Sequence, residues 1–147
     1  MEINGIAHIQ LTVSNFEKCL PFYKKLFSFF ELKTIFENQE LFYAVGGRTG
    51  IAITRAGPEY SQERFVQKRI GLHHFCVRMR KREDINELHQ FLLTIHAKIV
   101  HPPEEGPWAP GYYSILFEDP DGIRIEANFI PGKGNLDSEI QLPLPVP

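Results

Sequence analysis

Apolar residues recur along the chain with two different periods. From residue 7 to 13 they alternate: Ala7, Ile9, Leu11 and Val13 are apolar, and His8, Gln10 and Thr12 between them are polar. That is the period of a strand with one buried face. From Phe16 the spacing lengthens, and Phe16, Leu20, Tyr23, Leu26 and Phe27 fall on one side of a helix. Ser14 and Glu17 fit a capping box at its start. Pro21 predicts a kink, because proline lacks the amide donor and crowds the preceding turn. Strand-like segments follow over 31–37, 40–45 and 50–54, with Gly46-Gly47 as a turn.

The same succession returns 66 residues later. In 71–79, Phe75, Val77 and Met79 alternate with His74, Cys76 and Arg78. Glu83 and Asp84 suit a helix N-terminus, and Ile85, Leu88, Leu92 and Ile95 form a stripe whose counterparts are Cys19, Phe22, Leu26 and Phe29. Strands are predicted over 98–101, 112–118 and 122–129, the last two joined by the turn Asp119-Pro120-Asp121-Gly122. The last strand divides into Ile123, Ile125, Ala127 and Phe129 on one face and Arg124, Glu126 and Asn128 on the other. The pattern predicts an α+β protein, strand-helix-strand-strand-strand twice over. It places module one at 3–56 and module two at 69–131 within a single domain 1–131. Pro102, Pro103, Pro107 and Pro110 around Trp108 predict a long loop, and 132–147, with Pro143, Pro145 and Pro147, an irregular tail.

Composition narrows the function classes. The 147 residues are 43% hydrophobic, enough for one buried core. Sixteen Lys and Arg against 18 Asp and Glu give a net charge of −2 without like-charge blocks, which argues against nucleic acid or an acidic membrane surface as partner. Two cysteines, Cys19 and Cys76, are too few for a disulfide scaffold and point to a reducing compartment. No apolar run approaches the roughly 20 residues of a membrane helix, and Met1-Glu2-Ile3-Asn4-Gly5 lacks the order of a signal peptide. The expectation is a cytoplasmic protein that binds a small molecule.

The candidate chemistry lies on the polar strand faces. His8, its repeat-related His74, and Glu126 at matching parity form the donor set of a facial metal triad, two imidazoles and one carboxylate, with coordination positions left open. A single strand histidine is more often structural; the repeat and the third strand's carboxylate raise this set above that reading. His73 has the opposite parity and is expected to pack or face a helix. His89 and His96, seven apart on the second helix, are expected to be solvated or half-buried, with a second site as the alternative, and His101 before Pro102 to lie on the surface.

The segments Gly5-Ile6-Ala7-His8, Pro21-Phe22-Tyr23, Gly71-Leu72-His73-His74 and Phe117-Glu118-Asp119-Pro120-Asp121-Gly122-Ile123-Arg124-Ile125-Glu126 resemble the vicinal oxygen chelate superfamily over about residues 3–131. That superfamily includes glyoxalase I, extradiol dioxygenases, methylmalonyl-CoA epimerases, fosfomycin-modifying enzymes and bleomycin-sequestering proteins. The resemblance implies paired βαβββ modules whose mixed sheet curls into a cup, with helices on its outer face. It implies one divalent metal ion (Fe, Zn, Mn, Ni or Co) on His8, His74 and Glu126. The fourth ligand position of glyoxalases falls near Thr54, a poor ligand, and the tyrosine that many three-ligand relatives carry ten residues before the glutamate is Leu116 here. The stretch 102–107 is acidic, unlike a loop built for an anionic antibiotic.

The expected activity is therefore metal-dependent chemistry on neighbouring oxygens of a small substrate. It is either of isomerase or lyase type or of three-ligand dioxygenase type, through an enolate, alkoxide or peroxide. Tyr112 or the adjacent Tyr113 is the available proton donor, with Tyr112 taken as the catalytic candidate, and Arg124 or Arg78 is a partner for a substrate carboxylate. Gln10, Thr54, Cys76, Arg78, Trp108, Ser114 and Leu116 are expected to line the substrate site. Phe42, Tyr43, Trp108 and Tyr112 favour an aromatic or apolar substrate, or else belong to the core. Relatives pair modules across dimers, so a homodimer is expected. The competing reading is a non-catalytic sequestering module of the bleomycin-resistance type, against which the intact triad argues.

Overall fold

The computed structural model describes residues 1–137; residues 138–147, with three of the tail's prolines, lie outside the described residues. The chain divides into two units, Met1–Phe65 and Val66–Pro147. The first contains β1 (His8–Val13), α1 (Phe16–Phe29), β2 (Lys33–Glu37), β3 (Leu41–Gly46) and β4 (Thr49–Arg55). The second contains β5 (Phe75–Arg78), α2 (Arg82–Thr94), β6 (Lys98–Glu105), β7 (Tyr113–Glu118) and β8 (Arg124–Phe129). Each unit folds its strands into a four-stranded mixed sheet, in the orders β1-β4-β3-β2 and β5-β8-β7-β6. The first and last strands of each unit pair in parallel, and the remaining neighbours are antiparallel. The α+β class and the doubled βαβββ order follow the sequence pattern.

In the first unit, α1 lays Phe16, Cys19, Phe22, Tyr23, Leu26 and Phe27 on the sheet, all buried, with Phe42 stacked on Phe27 at 5.8 Å between ring centroids. Leu20, expected in this stripe, is half-buried at its edge. Phe42 belongs to this core, leaving Tyr43 on the opposite face. In the second unit Ile85, Leu88 and Leu92 of α2 meet Ile115, Phe117, Ile125 and Ala127.

The helix ends differ from expectation in instructive ways. The N-cap of α1 is Asn15, whose Oδ1 accepts from the Lys18 amide at 2.9 Å. Glu17 is thereby released from the expected capping box and pairs with Arg55 at 2.6 Å. The helix runs through Pro21 without a break; only the single amide that proline lacks is lost from its ladder. Both helices close with the same six-to-one bond, Leu32 N to Phe27 O and Ala97 N to Leu92 O, after residues with left-handed backbone, Glu31 (φ 57°) and His96 (φ 55°). His96 therefore lies beyond α2 rather than on it.

Pro102 and Pro103, expected in a loop, lie within β6. This is the outer strand of its sheet, and its pairing with β7 slips between His101 and Glu104, so the missing proline amides break no ladder bond there. Of the tail, residues 132–137 include a short 3-10 turn at Gly134–Leu136. Among the described residues no helix is long and apolar enough to cross a membrane, and neither Cys19 nor Cys76 is held in a disulfide.

The turn into β8 depends on Asp119, which is only 4% exposed. Its Oδ1 accepts from the amides of Asp121 (2.9 Å) and Ile123 (2.7 Å), and Gly122 takes the positive φ of 91° that the turn needs. Replacing Asp119 by Ala strands two buried amides, so Asp119→Ala is expected to cost about 2–4 kcal/mol in urea denaturation. Asp119→Asn, which keeps the acceptor, should cost less, and a loss under about 0.5 kcal/mol for Asp119→Ala would contradict this account.

Candidate active site

Strand ladders assemble the polar face of the second unit. Along β8 stand Arg124, Glu126 and Asn128. Strand β5 sets Cys76 opposite Glu126 and Arg78 opposite Asn128, while β7 sets Glu118, Leu116 and Ser114 opposite Arg124, Glu126 and Asn128. The alternation read from the sequence holds here, since Ile125 and Ala127 on the other face are fully buried.

Glu126 joins these residues. Its side chain is 13% exposed, with Oε2 lying 3.1 Å from Nε2 of His74, and its Oε1 accepts the Tyr112 hydroxyl. Tyr112 stands just before β7 and is buried. Burial, and then the bond to Glu126, push its phenol above the ordinary value, while a hydrogen bond from the Asn128 side chain acts the other way. The phenol therefore stays protonated across the neutral range and serves as a donor. Cys76 is raised as well, first by crowding of its sulfur and then by the Glu126 carboxylate, with Arg78 opposing. Although the residue keeps solvent contact, its thiol stays protonated and is a poor nucleophile.

His74 precedes β5, where strand alternation does not yet govern. Its Nδ1 lies 2.7 Å from Nδ1 of His73, and Gln67 Nε2 lies 3.3 Å from that same atom. His73 is thus exposed beside His74 rather than packed. Arg124 Nε is 3.3 Å from Glu118, which also takes Lys98 Nζ at 2.7 Å, so two cations share one carboxylate and the row keeps a positive charge. Ser114 is buried opposite Asn128. Trp108 is exposed; a Cβ on Gly106 would lie 3.0 Å from Tyr112 Cδ1 and 3.2 Å from Trp108 Cδ1, so this glycine lets both rings border one stretch of backbone.

In the first unit His8 is exposed at the start of β1, opposite Gly50. A Cβ at Gly50 would come within 2.7 Å of Tyr43 Cε2, so the missing side chain lets that ring lie against β4. Gln10 Nε2 donates to Thr54 Oγ1 at 2.7 Å. The ladders correct one detail of the repeat. Cys76, two residues beyond His74, pairs with Glu126, whereas Gln10, two beyond His8, pairs with Ala52. The counterpart of Glu126 in the first unit is therefore Ala52, not Thr54, and it brings no donor.

An imidazole nitrogen and a carboxylate oxygen converge at His74 and Glu126, donor types that suit a divalent ion. Among the described residues no three His, Cys, Asp or Glu side chains are gathered into one cluster that could hold an ion. A family model described as the Glyoxalase/Bleomycin resistance protein/Dioxygenase superfamily matches residues 5–127. The chain belongs to that superfamily. Its members bind small molecules and commonly a divalent metal.

Solved glyoxalase-superfamily structures share the fold. A glyoxylase/bleomycin resistance protein/dioxygenase domain from Frankia sp. EAN1pec is 21% identical (TM-score 0.68, covering 87% of this chain and 98% of that one). Lactoylglutathione lyase from Agrobacterium tumefaciens is 19% identical (TM-score 0.64, 88% and 96%). A fosfomycin resistance protein from Mesorhizobium loti is 16% identical (TM-score 0.62, 88% and 94%). No curated protein matches the chain.

The sequence reading did not single out Asn128 or Gln67 as site residues, because an amide on a polar face carries no spacing signal. Tyr112→Phe keeps the ring but removes the donor from a mostly buried carboxylate. It is expected to lower stability by about 1–2 kcal/mol in urea denaturation at pH 7.5, and an unchanged midpoint would show that Glu126 does not depend on Tyr112.

Proposed function

We propose that the protein is a metal-dependent enzyme acting on a small molecule with two neighbouring oxygens, with His8, His74 and Glu126 as the metal ligands. The observation that carries this reading is the convergence of His74 Nε2 and Glu126 Oε2 at 3.1 Å, backed by a protonated tyrosine on the other carboxylate oxygen. The third donor, His8, comes from the first unit of this chain or of a second copy, and a homodimer is the assembly proposed. A bound divalent ion would polarise the substrate's paired oxygens as a Lewis acid.

Tyr112 Oη gives a hydrogen bond or a proton to a substrate oxygen; with its phenol held protonated it does not act as a base. Arg124, oriented by Glu118 in a row that keeps positive charge, meets an anionic substrate group. Cys76, Arg78, Ser114, Leu116 and Trp108 border the substrate in the second unit, Gln10 and Thr54 in the first. Ala52 in the register place of Glu126 favours a three-donor ion, as in dioxygenase-type and thiol-transfer sites, over a four-donor one. A cytoplasmic location fits two cysteines that form no disulfide.

Protein purified without oxygen tests the reaction type. Stoichiometric iron with oxygen uptake on catechol would assign dioxygenase chemistry. Zinc, nickel, manganese or cobalt without oxygen uptake would assign the isomerase or lyase type. Less than about a tenth of an equivalent of any ion, even after reconstitution, would contradict the enzyme reading and favour a sequestering module.

A further inference from the structure

Asn128 is 8% exposed, and its Oδ1 is buried without a hydrogen-bond partner. Its backbone is committed, the carbonyl accepting the Met79 amide at 2.7 Å. The side chain stands two residues beyond Glu126 on the same face of β8, between Arg78 on β5 and Ser114 on β7. A tyrosine hydroxyl has one proton, and here it goes to Glu126. With that proton committed, the Tyr112 hydroxyl has none to offer Asn128, whose Oδ1 is left unanswered. An unpaired buried amide oxygen is a standing cost that a leucine of similar shape would remove.

We propose that Asn128 is a substrate-binding residue whose Oδ1 receives a hydrogen-bond donor, a hydroxyl or N–H, that the ligand carries beside its two chelating oxygens. This rests on the site proposed above and narrows its substrate class. A ligand offering only carbonyl or carboxylate oxygens at that point would set acceptor against acceptor, and the site would discriminate against it.

Two bidentate chelators that differ in one donor test this: acetohydroxamic acid, which has an N–H, and N-methylacetohydroxamic acid, which does not. Their affinities are measured by calorimetry on the Co2+-loaded protein. Wild type is expected to favour the N–H probe by about tenfold, the worth of one good hydrogen bond. In Asn128→Leu that preference should fall about tenfold, because the bulk of the probe's methyl group is met in both proteins and only the acceptor is gone. The melting temperature of metal-free Asn128→Leu should equal or exceed that of wild type, an outcome that a purely structural role would reverse. Asn128→Ser, whose shorter side chain cannot reach the same point, gives the same affinity readout if the leucine variant does not fold. A preference unchanged in the variants, or absent in wild type, would overturn the Asn128 assignment alone. Failure of wild type to bind either probe would overturn the site itself, and this assignment with it.

Discussion

A carboxylate largely withdrawn from water is tolerable only where donors or cations answer it, since an unpaired charge in a low-dielectric setting costs several kcal/mol. Glu126 is in that position, on the strand between β5 and β7. The surrounding face is arranged around this demand: Tyr112 gives its hydroxyl to one oxygen, and His74 approaches the other. Because each partner is held by a different segment, the parallel pairing of β5 with β8 and the Asp119 turn that starts β8 are what bring the chemistry together. A shift of one residue in that ladder would turn Glu126 into the helix-packed core.

The two units show how one βαβββ plan carries unequal burdens. Both pair their first and last strands in parallel, and both close their helices with a left-handed residue, Glu31 or His96, followed by a six-to-one bond. At the equivalent ladder position the first unit has Ala52 where the second has Glu126, so the first unit offers His8 and a neutral Gln10–Thr54 pair rather than a charged centre. The repeat conserves the frame, and the chemistry differs through single side chains on its polar face.

Most of this frame could be read from hydrophobic spacing, because burial on one face imposes a period of two on strands and about 3.6 on helices. The polar faces carrying Glu126 and Arg124 were legible for the same reason. What escaped was whatever depends on contacts rather than period. The position of His73 beside His74 follows from their lying before the strand, where parity has no force. Asn15 displaces Ser14 as cap through one side-chain bond, and the β6 prolines are tolerated because that strand is an edge. Parity places Asn128 on the polar face, whereas the burial of its unanswered oxygen depends on its neighbours. Ala52 was missed because register, unlike parity, cannot be counted along a single strand.

The central claim is that His74 and Glu126, together with His8, hold a divalent ion. The most direct measurement is a Co2+ titration of the metal-free protein, followed by visible absorption, in wild type and in His8→Ala, His74→Ala and Glu126→Gln. One equivalent per chain should bind to wild type, each ligand variant should weaken binding by about a hundredfold or more, and His89→Ala should bind as wild type does. Wild-type affinity retained in His74→Ala or Glu126→Gln would contradict the account.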